Sequence, residues 1–96
     1  MDDDALLSHL ETLVHRLGID LRYEPLEEEL FSSSGGLCRI KNRYVILLNA
    51  RRSTGEKILM LAKALRRFDL SQTYLKPAVR ELLDRLGGDE GEDRSL

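Results

Sequence analysis

The sequence predicts an α+β domain: a small antiparallel sheet of about three strands with helices packed on one face, in the order helix, strand, loop, hairpin, helix, helix. Three observations point there. Apolar residues recur at three-and-four spacing in three separate stretches. Three short segments with strand character follow one another with no helix between them. The chain has 96 residues, room for a single core and near the lower limit for one that folds unaided.

Taken in order, residues 5–17 read as an amphipathic helix. Leu6, Leu10, Leu13, Val14 and Leu17 share a face. Asp3 or Asp4 is placed to cap its first amides, and Gly18 to end it in a left-handed conformation. Residues 19–24 alternate, with Ile19, Leu21 and Tyr23 against Asp20, Arg22 and Glu24, the period of a half-buried strand. Pro25 ends it. The acidic, serine- and glycine-rich stretch 25–36 reads as a mobile loop in which Leu26, Leu30 and Phe31 can dock. A hairpin comes next, with strands at 37–41 and 44–49 and a turn at Asn42-Arg43. Cys38 and Ile40 point one way and Arg39 and Lys41 the other, with Cys38 expected on the inward face. Tyr44 to Leu48 is apolar throughout, as a central strand requires.

Ser53-Thr54-Gly55-Glu56 has capping-box spacing and opens a helix that runs to about Phe68. Ile58, Leu61, Ala62, Leu65 and Phe68 form its apolar face. A last helix spans 77–86, with Pro77 at its first position and Gly87 as its stop. Val79, Leu82, Leu83 and Leu86 make its stripe, and Tyr74 and Leu75 pack as the chain turns into it. The domain is thus expected over 1–86, with 87–96 as a disordered acidic tail.

Net charge is −2 with 42% hydrophobic and 33% charged residues, a globular balance. The charge is unevenly spread. Residues 1–38 carry 9 acids and 2 bases, residues 39–67 carry 9 bases and 1 acid, and residues 68–96 carry 7 acids and 4 bases. A basic middle between acidic flanks suits pairing between subunits or an anionic partner. No apolar run approaches the roughly 20 residues of a membrane-spanning helix. The start Met1-Asp2-Asp3-Asp4 lacks the basic-then-apolar pattern of a secretory signal, so a cytoplasmic chain is expected.

Catalytic chemistry finds no foothold. His9 and His15 lie about 240° apart around a helix, so they share no face for a metal. No nucleophile is paired with a base. The carboxylates sit in runs, Asp2 to Asp4 and Glu27 to Glu29, where solvent holds them all alike. One cysteine permits neither an internal disulfide nor a cysteine-based zinc cluster. Gly35-Gly36 is too short for a phosphate-binding fingerprint. No catalytic residue, metal ligand or cofactor is therefore expected.

The stretches Gly36-Leu37-Cys38-Arg39-Ile40, Tyr44-Val45-Ile46-Leu47-Leu48-Asn49 and Glu56 to Arg67 resemble part of a small zincin metallopeptidase of the ImmA/IrrE type. That family has a helix, a sheet with a hairpin ending in Asn, and a helix carrying His-Glu-x-x-His, commonly after a Leu-Ala step. Here Leu61-Ala62 is followed by Lys63-Ala64-Leu65-Arg66-Arg67. The resemblance puts Lys63 and Arg67 where two zinc-binding histidines belong, and Ala64 where the catalytic Glu belongs. Two cations cannot ligate zinc and an alanine cannot act as a base. What it implies is a degenerate, non-catalytic zincin-like domain.

The leading expectation is a non-catalytic interaction module that completes itself as a homodimer or with another protein. Strand 19–24 is the edge that can accept a partner strand. Arg39, Arg51, Lys63 and Arg67 are the candidate interaction surface. Nucleic-acid binding through 39–67 ranks below it: the chain is acidic overall, has no Trp and carries no reader motif. A small-ligand pocket between sheet and helix is the third possibility.

Overall fold

In the computed structural model, residues 1–24 and 36–94 are described, with the side chains of the last helix followed through Gly87. The elements are α1 (Asp3–Arg16), β1 (Asp20–Glu24), β2 (Leu37–Ile40), β3 (Arg43–Asn49), α2 (Thr54–Leu65) and α3 (Pro77–Arg94). The expected α+β class and element order are present. The expected loop and its docking residues Leu26, Leu30 and Phe31 lie outside the described residues.

The sheet is mixed rather than antiparallel. Strand order is β1-β3-β2. β2 runs antiparallel to β3, with Leu37 opposite Ile46 and Ile40 opposite Arg43. β1 runs parallel to β3, with Asp20 opposite Val45 and Glu24 opposite Asn49. The reason is positional. β1, β2 and β3 alternate in direction along the chain, and β3 inserts between the other two. The first and third strands then become neighbours and must run the same way.

Side chains alternate across each strand. Leu21, Leu37, Ile46 and Leu48 join the core formed with the three helices. All four fall on one face, so the helices cover that face. The other face carries Asp20, Arg22 and Glu24, then Arg43, Val45, Leu47 and Asn49, then Cys38 and Ile40. Cys38 is therefore half-buried on the helix-free face, not turned inward. In a four-residue strand both parities are partly apolar, and Leu37 wins the inward position over Cys38 and Ile40. The Cys38 thiol donates to the Gly36 carbonyl at 3.5 Å.

Each helix shows how sequence sets its limits. α1 begins earlier than periodicity suggests, because Asp2 is its cap and accepts from the Ala5 amide at 2.8 Å. Gly18 takes the expected left-handed conformation, φ 76°. α2 has a full capping box: the Glu56 amide donates to Ser53 Oγ at 3.2 Å and the Ser53 amide donates to Glu56 Oε1 at 3.3 Å. It stops at Leu65 with Arg66 as C-cap, short of Phe68, which still packs on the core. α3 begins at Pro77 as expected but does not stop at Gly87; its backbone stays helical to Arg94. A helical glycine weakens a helix by about 1 kcal/mol without breaking it. At Gly87 the missing side chain makes room, since a Cβ would stand 2.8 Å from Arg66 Nη2. Leu75 is buried as expected, whereas Tyr74 is 72% exposed.

Backbone conformation at Gly36 and at Lys41-Asn42 shapes the hairpin. Gly36 has φ 78°, and a Cβ there would fall 2.3 Å from the Leu47 carbonyl oxygen. Only glycine fits, and its own carbonyl accepts from the Leu47 amide at 3.1 Å, extending the β2–β3 ladder. The hairpin turn lies at Lys41-Asn42, one residue earlier than the sequence suggests. Both have positive φ, 51° and 68°, the signature of the tight turn whose twist matches its strands. Asn tolerates this conformation; a lysine held there costs roughly 1 kcal/mol.

Candidate functional site: two ends of unlike charge

β1 and β3 both begin at the hairpin end of the sheet. α1 and α2 run back against them, so their C-termini return to that end. Phe68 fixes this for α2: its ring meets Tyr44, at the start of β3, edge-on at 5.0 Å. Asp20 fixes it for β1, its carboxylate lying 3.1 Å from the Arg43 guanidinium. The hairpin end therefore gathers Arg16, Arg39, Lys41, Arg43, Lys63, Arg66 and Arg67, with Asp20 and Asp69 the nearby acids. Cations at helix C-termini also suit the negative end of the helix dipole.

The opposite end carries Asp2, Asp3 and Asp4 at the start of α1, Glu24 at the end of β1, and Glu56 in the first turn of α2. Of its two arginines, Arg52 is engaged through its side chain and, among the described residues, Arg51 through its backbone amide alone. Arg52 Nη1 lies 2.9 Å from Glu56 Oε2. The Arg51 amide donates to Asn49 Oδ1 at 3.0 Å, which anchors the buried Asn49 side chain. The Ser53 amide and hydroxyl, then the Arg52 charge, hold the Glu56 carboxyl below the usual glutamate range.

Of the four candidate surface residues, the structure brings Arg39, Lys63 and Arg67 to one end and leaves Arg51 at the other. β3 separates them by about 20 Å. Arg39 lies over the Tyr44 ring, 5.5 Å from its centroid, so Arg39, Tyr44 and Phe68 form one stack. Arg67 is exposed just beyond the C-cap of α2, and Lys63 is half-buried in its last turn. Among the described residues no carboxylate lies within ion-pair distance of Arg39, Lys41 or Arg67. Sequence reasoning left out Lys41 as a site residue. The sequence carries no signal for it, because the turn reads one residue later and leaves Lys41 in the strand.

The zincin-like positions can also be placed. Ala64 is fully buried in the core, so a carboxylate in its place would point into apolar packing rather than a cleft. Lys63 lies within the regular helix, two residues before its end at Leu65, and Arg67 lies past that end. Among the described residues no group of three His, Cys, Asp or Glu is arranged to hold a metal. No helix among them is long and apolar enough to cross a membrane.

Tyr23 ties β1 to the helices above it. Its hydroxyl donates to Glu11 of α1, and Lys57 of α2 lies 5.2 Å from its ring centroid. Burial first, then the hydrogen bond and charge of Glu11, push its ionisation well above the usual tyrosine range. Two concavities border α3. A cleft of about 150 Å³ lies between His9, Leu13 and Arg16 of α1 and Tyr74 and Lys76. An open groove of about 710 Å³ runs past Arg66, Phe68, Leu70, Arg80 and Leu83. The cleft is below the size of a typical small-molecule site.

β1 is an edge: no strand among the described residues pairs with its outer side. The Ala50 amide donates to the Glu24 carbonyl at 2.9 Å, which fixes the parity of the ladder. Asp20, Arg22 and Glu24 direct their backbone groups toward β3, while Leu21 and Tyr23 direct theirs outward. The outward face of the edge is thus Leu21 and Tyr23 in backbone terms, flanked by side chains of alternating charge. Comparison of the chain with family models, curated proteins and solved structures returns no match.

Proposed function

We propose that this chain is a non-catalytic protein-interaction module that pairs with a second copy of itself along the outer edge of β1. The carrying observation is that no strand among the described residues covers this edge and that its charges are self-complementary in one antiparallel register. Centred on Leu21, two copies exchange backbone hydrogen bonds at Leu21 and between Tyr23 and Ile19. That register sets Asp20 of each copy opposite Arg22 of the other. Centred on Arg22, it sets arginine against arginine and Asp20 against Glu24. Opposite charges across a strand pair favour pairing, and like charges oppose it, by roughly 0.2–1 kcal/mol each. A two-fold pairing closes on itself and yields a dimer rather than a fibre.

The reading accommodates the zincin resemblance as descent from a metallopeptidase that has lost its chemistry, with Lys63, Ala64 and Arg67 in place of ligands and base. Partner binding then outlives catalysis.

Sedimentation velocity tests the pairing. The native chain is expected to sediment as a dimer. Asp20→Lys sets two cations opposite each other, and Arg22→Asp sets two acids opposite each other, so each variant alone is expected to be monomeric. Mixed in equal amounts they restore both opposite-charge pairs and the dimer. A native monomer, or variants that stay dimeric alone, overturns the proposal. Loss of the exposed Asp20–Arg43 pair costs at most about 1 kcal/mol, so circular dichroism is expected to report folded protein in both variants.

A further inference from the structure

We propose that the hairpin end is a docking platform for an acidic segment of a different protein, held by Arg39, Lys41 and Arg67 around the Tyr44–Phe68 pair. This surface is separate from the outer edge of β1 and does not depend on pairing there. Arg39, Lys41 and Arg67 approach one end from β2, the turn and the end of α2, and among the described residues none has a carboxylate partner. Tyr44 lies among them and is 39% exposed. A cationic rim about a partly open aromatic suits a segment that mixes carboxylates with an apolar side chain.

Lys41 supplies an independent argument. Its φ of 51° belongs to a conformation in which Asn or Gly is the relaxed choice. A cation at the tip in a conformation it does not favour points to a use outside folding.

The same cations do not make a nucleic-acid surface. The chain carries a net charge of −2 and has no Trp, against the strongly basic, aromatic-bearing surface that nucleic-acid binding favours. Stacking on bases needs an open ring face. Arg39 lies over the Tyr44 ring and Phe68 meets it edge-on, so what stays exposed is room for a side-chain contact rather than a face for a stacked base.

The test is fluorescence anisotropy with three labelled probes: a glutamate-rich peptide carrying one Phe, its glutamine counterpart, and an oligothymidylate of the same charge. The glutamate-rich peptide is expected to bind, more weakly as salt rises from about 50 mM to about 200 mM, and the glutamine peptide is not. Lys41→Asn and Arg67→Glu are each expected to weaken binding about three- to fivefold. Arg51→Glu, at the far end, leaves it unchanged. Lys41→Asn keeps or raises the melting temperature, which separates binding from folding. No binding of the glutamate-rich peptide, or an equal loss with Arg51→Glu, overturns the proposal. Tighter binding of the oligothymidylate also overturns it and gives the surface to nucleic acid.

Discussion

The two ends of the sheet use the same residue types for opposite purposes. Where β3 passes into α2, most polar groups are spent on one another: Asn49 on the Arg51 amide, Ser53 on Glu56, Glu56 on Arg52, with the Arg51 side chain left exposed. Gly36 is there too, pressed against the Leu47 carbonyl. At the hairpin end, Arg39, Lys41 and Arg67 have no such acidic partners among the described residues, and Lys41 sits in a backbone conformation it does not favour. The contrast teaches that charge alone does not mark a surface for binding. Charge already satisfied by its neighbours builds the fold; charge held out, at some conformational cost, is available to something else.

Breaking the satisfied end is expected to cost the most. Gly36→Ala puts a Cβ on the Leu47 carbonyl and forces β2 and β3 apart, so urea unfolding is expected to show a loss of about 3 kcal/mol or more. A loss below about 1 kcal/mol would show that this end yields easily and would weaken the contrast. Ser53→Ala removes the α2 cap and is expected to lower stability by about 1 kcal/mol. The same box predicts a pH dependence. The folded state holds the Glu56 carboxyl below its unfolded range, so its contribution is full above the usual glutamate range and fades as pH falls through the lowered value. Glu56→Gln is expected to flatten that acid limb in a thermal melt series. At the other end the sign reverses. Lys41→Asn is expected to raise stability by about 0.5 kcal/mol. A loss there would show that Lys41 is structural.

Most elements were legible because their causes are local. The three-and-four spacing of Leu6, Leu10, Leu13 and Val14, the Ser53–Glu56 box and Pro77 each act within a turn or two. What escaped depends on which segments meet. Whether β1 joins β3 or β2 decides strand direction, and nothing between 19 and 24 encodes it. Leu37 and Cys38 compete for the same inward face, and the outcome rests on the helices above. Arg51 and Arg39 belong to one basic stretch of sequence, yet β3 carries them to opposite ends. The helix of 77–94 passes through Gly87, where an added Cβ would meet the Arg66 side chain, a neighbour no local pattern names.

The parallel pairing of β1 has a consequence for the order of assembly. Leu37 meets Ile46 across 9 positions of chain, whereas Asp20 meets Val45 across 25. The hairpin closes the shorter loop and the capped α2 comes directly after it, so both can form early at small entropic cost. β1 and α1 join afterwards. The last strand to arrive then fills one of the two edges of the sheet, and in the time before it docks the chain exposes the side of β3 that would accept it.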